Sequence, residues 1–230
     1  MTDENFPETV QLGRVRVPVI SSLLSPIIIN GLRKGWYERD ERKAIEAAVQ
    51  DGDRVLELGG GLGACSATAA TVARLKSLTI VEANPNLLDA IRLTMSLNKI
   101  DGFELVWGAI STSPATSTRL QVGEHYWAAR ETSNTHGNTI EVPTLSPQEI
   151  LNRAKPNVLI CDIEGNEQDL IEVSDLSRLR SFIVEFHPDF YGMDTIEKLN
   201  AKLLSSGFIR LTEWTISDQP QVHHYTRSRS

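Results

Sequence analysis

Apolar residues fall along the chain in short, nearly unbroken runs separated by stretches with helical spacing. The runs "RVLELG" (54–59), "SLTIVEA" (77–83), "FELVWGA" (103–109), "NVLICDIE" (157–164) and "SFIVEFH" (181–187) read as strands. Between them "ACSATAATVARLK", "NPNLLDAIRLTMSLNK", "EQDLIEVSDLSRL" and "TIEKLNAKLLSS" read as helices. Asn84 and Pro85 supply an N-cap and a first position for the second of these, and Gly207 ends the last. Near-continuous apolar strands alternating with helices predict an α/β, Rossmann-like fold, with a mostly parallel sheet covered on both faces. The closing runs "FIRLTEW" and "QVHHYTR" have no helix between them and predict an antiparallel pair at one edge.

Two stretches break the alternation. Residues 1–50 hold the apolar "VPVISSLLSPIII" and the charged "GWYERDERKAIEAAVQ". Residues 110–156 hold the polar "STSPATSTRLQVGEHYWAARETSNTHGNT", a short strand "IEVPTL", and a helix "SPQEILNRA" begun by Ser146, Pro147 and Glu149 as a capping box. We divide the chain accordingly into an N-terminal segment or lid (1–50) and a core domain (51–230) with a substrate flap at 110–156. A long polar insertion in an α/β domain belongs over the carboxyl ends of the strands, where such sheets bind ligands. Its His125, Tyr126, Trp127 and His136 either recognise an acceptor or anchor the flap.

The 230 residues suit one such domain, and their net charge of −7, with no dense Lys/Arg block, points to a small-molecule partner rather than nucleic acid. The apolar run at 17–29 is broken by Pro18 and Pro26 and is too short to span a bilayer. A homodimer through residues 1–30 would give it a cover. The polar N-terminus has no secretory pattern, and the two separate cysteines, Cys65 and Cys161, fit a reducing cytoplasm.

The chemistry gathers around "VLELGGGLGACS". Gly59, Gly60, Gly61 and Gly63 sit between a strand and a helix, so backbone can approach a ligand closely beside free helix N–H groups. The turn also satisfies a dinucleotide pattern, and Glu82, ending the next strand, would bind a ribose diol of either a nicotinamide dinucleotide or S-adenosylmethionine. Glu57 separates the two: a carboxylate repels a pyrophosphate and attracts the ammonium and sulfonium of S-adenosylmethionine.

"LELGGGLG", "VEANPNLL", "LICDIEGNEQDLI" and "FIVEFHP", in this order, resemble the FkbM-type S-adenosylmethionine-dependent methyltransferases, over roughly residues 31–210. The resemblance implies a seven-stranded class I methyltransferase sheet with its last strand antiparallel, and methyl transfer, most often to oxygen of a small molecule. The chain departs from the family's usual acidic and lysine positions at Glu57 and Cys161. By the class I pattern Glu57, Gly59, Gly61 and Gly63 cradle the methionine part. Glu82 holds the ribose, Ala83 and Asn84 flank the adenosine, and Trp107, Gly108 and Ala109 border adenine, with the Trp107 ring as its cover. Tyr37 and Glu38 belong to the segment that closes over the cofactor.

Asp162 and Glu164 share one side of an extended segment, as do Glu185 and His187. Asp162 faces the transferred methyl as well as the cofactor. Glu167 starts the next helix, where an acid suits the dipole. Asp162, Glu164, Glu185 and His187 form the catalytic set, with His187, Asp162 or Glu185 as base. Oxygen and nitrogen ligands also suit a divalent metal, but no acid here has fixed metal-ligand spacing, so no metal residues are assigned. The expected function is O-methylation of a small-molecule hydroxyl or carboxylate. The alternatives are N-methylation of a small amine, an NAD(P)-dependent oxidoreductase, and an inactive scaffold.

Overall fold

A computed structural model of the chain describes residues 7–121, 130–131, 139–214 and 221–227. The chain opens with a hairpin of β1 (Thr9–Leu12) and β2 (Val15–Pro18), then α1 (Pro26–Arg33) and α2 (Arg39–Ala48). Alternation follows as β3 (Arg54–Leu58), α3 (Ala64–Val72), β4 (Ser77–Glu82), α4 (Leu88–Leu97) and β5 (Glu104–Trp107). The insertion contributes β6 (Ala109–Ile110), β7 (Ser117–Gln121), β8 (Arg130–Glu131), β9 (Thr139–Leu145) and α5 (Pro147–Ala154). The chain then returns through β10 (Val158–Cys161), α6 (Glu167–Val173), β11 (Ser181–Phe186), α7 (Pro188–Tyr191), α8 (Met193–Ser205), β12 (Ile209–Trp214) and β13 (Gln221–Thr226).

Among the described residues the main sheet has seven strands in the order β12-β13-β11-β10-β3-β4-β5, and β13 alone runs antiparallel to its neighbours. This is the predicted class I architecture, with its antiparallel edge pair. Side-chain parity buries the sheet twice. Val55, Val158, Ile160 and Ile183 enter the core shared with the hairpin, α3 and α4. Leu56, Leu58, Leu159, Cys161, Phe182 and Val184 enter the opposite core, shared with α5, α6 and α8. Asp162, Glu185 and His187 follow the parity of the first set, which sends them to the face that α1 and α2 cover.

Two strand boundaries and one helix cap differ from the sequence reading. The third strand leaves the main sheet at Trp107, because the chain passes Leu145 at Gly108, where a Cβ would lie 2.7 Å from the Leu145 Cγ. Ala109–Ile110 then pairs with β9 in a second sheet, order β6-β9-β7-β8. The fourth strand stops at Cys161 rather than reaching Glu164. Glu164 takes a left-handed φ of +51° and Gly165 follows at +108°, so the segment turns instead of extending. Ser146 does cap α5 by position, with Pro147 after it, but its side chain makes no capping hydrogen bond. No helix among the described residues is long and apolar enough to cross a membrane.

Candidate active site

Above the carboxyl ends of β3, β4, β10 and β11 lies a cavity of about 1020 Å³. That is ample for a nucleoside-sized group and an acceptor together. Its floor is the Gly59–Leu62 turn and its walls are strand ends; Leu24, Ile27, Ile28 and the segment Trp36–Glu41 close it from the α1–α2 side.

The floor is glycine for a steric reason. A Cβ at Gly59, whose φ is +86°, would run into the carbonyl of Asp162, so the β3–α3 and β10–α6 turns can abut only without one. At Gly61 (φ +50°) a Cβ would sit 2.9 Å from the Tyr37 hydroxyl and 3.0 Å from Glu38 Oε1. The α1–α2 linker thus lies directly over the turn. Arg42 fixes that linker by reaching back from α2 to donate to the carbonyls of Gly35 (3.1 Å) and Tyr37 (3.0 Å).

Glu82 stands at the cavity edge and accepts from the amides of Gly61 (2.9 Å) and Asn84 (2.6 Å), which leaves lone pairs for a diol. Burial raises its pKa, and the backbone donors partly offset that. Glu38 projects Oε2, buried and without a hydrogen bond, beside the turn. Burial carries its pKa up to about 7, with the charge of Glu41 adding to the rise. An orphaned carboxylate oxygen, a cradle that no side chain could share, and a diol-binding acid fit a cationic aminoacyl nucleoside; they do not fit a pyrophosphate.

Across the cavity, His187 Nε2 lies 3.5 Å from Asp162 Oδ1 and 3.5 Å from Glu164 Oε2. Its Nδ1 lies 3.1 Å from Glu167 Oε1. Burial alone would lower the His187 pKa; the Glu167 hydrogen bond and the charges of Asp162, Glu167 and Glu164 outweigh it and hold the value at about 9. Burial pushes the Asp162 carboxyl well up against the pull of His187. Since 34% of that side chain faces the cavity, the push acts in full only when the cavity is filled. Glu185 is pushed well up too, by burial, by Asp162, and by a contact with Glu41.

The structure thus brings Tyr37, Gly59, Gly61, Glu82, Ala83, Gly108, Ala109, Asp162, Glu164, Glu185 and His187 around one space. Glu57, Gly63, Asn84 and Trp107 stand outside its lining. Glu57 is buried behind the glycine turn, where Ser66 donates to it. Trp107, expected to cover adenine, is 41% exposed, and its Nε1 donates to the Ala83 carbonyl at 3.1 Å, at the outer edge of the sheet. His125, Tyr126, Trp127 and His136 lie outside the described residues.

Sequence reasoning missed Glu41 and Phe190. Glu41 shares a helical face with Ala44, Ile45 and Ala48, all buried, so an acid on an apolar stripe was the available signal. Phe190 packs its ring 5.7 Å from His187, on a short helix the pattern did not reveal.

Asp162, Glu167 and His187 bring ligand atoms within 4.8 Å of one another, the spacing of a metal centre. Glu167, however, already accepts from the amides of Ile163 and Gly165 and from the Tyr191 hydroxyl, and its Oε1 is in hydrogen-bond contact with His187 Nδ1, so it has little left to offer an ion.

The model of the methyltransferase FkbM domain matches residues 50–210. Among solved structures, the chain is similar to precorrin-6y C5,15-methyltransferase from Geobacter metallireducens (13% identity, TM-score 0.52, 92% of this chain and 93% of that one). It is similar as well to ribosomal protein L11 methylase from Lactobacillus delbrueckii subsp. bulgaricus (11%, 0.52, 97% and 100%). M. jannaschii TYW2 in complex with AdoMet matches at 10%, 0.50, 99% and 90%. At these identities the likeness is one of fold. No curated protein matches.

Proposed function

The chain belongs to the FkbM methyltransferase family, S-adenosylmethionine-dependent enzymes, and from that premise we propose that it methylates a hydroxyl oxygen of a small molecule, with His187 as the base. S-adenosylmethionine supplies a methyl group on a cationic sulfur. Gly59 and Gly61 leave backbone bare against it, Glu82 takes the ribose hydroxyls, and Glu38 offers its free oxygen to the ammonium. Tyr37 and Glu38 close the space from above, which supports reading residues 1–50 as a lid; Ile110 and Leu120 line the cavity, which supports reading residues 110–156 as a flap.

One observation carries the acceptor class: Glu41, Asp162, Glu164 and Glu185 line the same cavity as His187. Burial and the neighbouring acids already push the Asp162 and Glu185 carboxyls up, so a carboxylate acceptor or a phosphodiester would bring negative charge into a space that disfavours it. A hydroxyl acceptor must lose a proton, and His187 Nε2 faces the cavity to take it. At neutral pH the ring is mostly protonated, so the rate should climb with pH until His187 titrates near 9.

The test is methyl-labelled S-adenosylmethionine with a small-molecule extract and, separately, total RNA. A labelled methyl ether, stable to alkali, is expected in the small-molecule pool. Label in RNA, in an alkali-labile ester or in an N-methyl product would overturn the reading.

A further inference from the structure

A histidine that accepts a proton at Nε2 needs a hydrogen on its other ring nitrogen and a fixed ring plane. The surroundings of Glu167 supply both. Its side chain is fully buried at the start of α6. Oε1 accepts from the Ile163 amide (3.0 Å), and Oε2 accepts from the Gly165 amide (3.0 Å). The Tyr191 hydroxyl accepts from the His187 amide at 2.8 Å, so its single proton goes to Glu167 Oε2 at 3.2 Å. Three donors already aim at this carboxylate, which casts it as an acceptor towards the ring as well. His187 Nδ1, 3.1 Å from Oε1, is therefore a fourth donor. In the neutral ring Nε2 is then the bare nitrogen, and it faces Asp162 and Glu164.

We propose that Glu167 is a positioning residue that locks His187 in the Nδ1–H tautomer and aims Nε2 into the cavity, with Tyr191 pinning Glu167 in turn. The inference rests on reading His187 as the base. When the acceptor O–H bond breaks, the proton goes to Nε2, and the resulting imidazolium keeps its Nδ1 hydrogen on Glu167. No proton passes to Glu167. The same saturation makes Glu167 a brace rather than a metal ligand. A merely structural acid at a helix start would satisfy the amides of Ile163 and Gly165 without touching a ring on another strand.

The experiment is long-range proton–nitrogen NMR on the full chain labelled at histidine, in wild type and Glu167→Gln, beside steady-state rates with labelled S-adenosylmethionine and the small-molecule extract. In wild type the neutral ring, reached above about pH 9, should carry its hydrogen on Nδ1. In Glu167→Gln the proton affinity of His187 should fall about tenfold. Asp162, Glu164, Glu41 and Glu185 remain around the cavity and Tyr191 beside the ring. On the alkaline plateau, where the ring is neutral in both proteins, the apparent kcat should fall about 10- to 100-fold with the KM for S-adenosylmethionine unchanged. A neutral wild-type ring protonated on Nε2, or a variant with unaltered tautomer and kcat, overturns the inference. If Glu167→Gln does not fold, the wild-type tautomer still decides it, and Tyr191→Phe, which keeps the carboxylate, should retain Nδ1–H. Full rate in His187→Gln would defeat the base reading alone, while the ring's tautomer still judges the brace.

Discussion

At the scale of single residues, the site is a balance of buried charge. Glu38 shows it most directly. Its carboxyl, raised to about 7 chiefly by burial, keeps a proton in the empty protein that an unfolded chain would release above its ordinary value of 4.5. Between those two values the empty protein gains protons on folding, so this group's contribution to stability declines as pH rises through that window. A cation beside Glu38 favours the ionised form. Affinity for S-adenosylmethionine should therefore tighten as pH rises towards 7, by up to about tenfold per unit for one proton released. Calorimetry in buffers of different ionisation enthalpy would count that proton. Glu38→Gln should remove most of it, with a residue left by Glu57 and Asp162 in the same field. An unchanged proton count in Glu38→Gln would show that Glu38 does not meet the charge.

At the scale of elements, Arg42 ties down the α1–α2 linker. Arg42, buried, donates to the carbonyls of Gly35 and Tyr37 and so keeps Tyr37 and Glu38 over Gly61. Arg42→Ala strands those carbonyls and should cost about 2–3 kcal/mol in stability. It should also weaken S-adenosylhomocysteine binding about tenfold, a loss near 1.4 kcal/mol. Urea unfolding and calorimetry would measure the two; unaltered affinity would mean the linker is not part of the cofactor site. The elements also show what sequence could reveal. β3, β4, β10 and β11 were legible because each is apolar on both faces. β7, "STRLQ", was not: it is a polar strand of a half-exposed sheet, with no apolar run to mark it. The break at Gly108 was hidden too, because its cause is Leu145, far along the chain. Glu167 was legible as a helix-start acid, yet its contact with His187 joins two strands' ends and has no local signature.

At the scale of the whole molecule, chain parity is what assembles the site. Asp162, Glu185 and His187 arrive on one face because residues two apart on β10 and β11 feed one core, and the hairpin and first two helices roof that face. The glycine floor and the acidic wall come from segments more than a hundred residues apart. They meet where the bare backbone of Gly59 abuts the Asp162 carbonyl, beside the space proposed for a positive ligand. The most direct test is a calorimetric titration of the purified chain with S-adenosylmethionine and, separately, with NAD. The account predicts saturable binding of S-adenosylmethionine that Glu82→Gln weakens at least about tenfold, since a charged hydrogen-bond acceptor is worth about 1.5–3 kcal/mol. NAD should give no heat of binding. Uptake of NAD with no response to S-adenosylmethionine would contradict it.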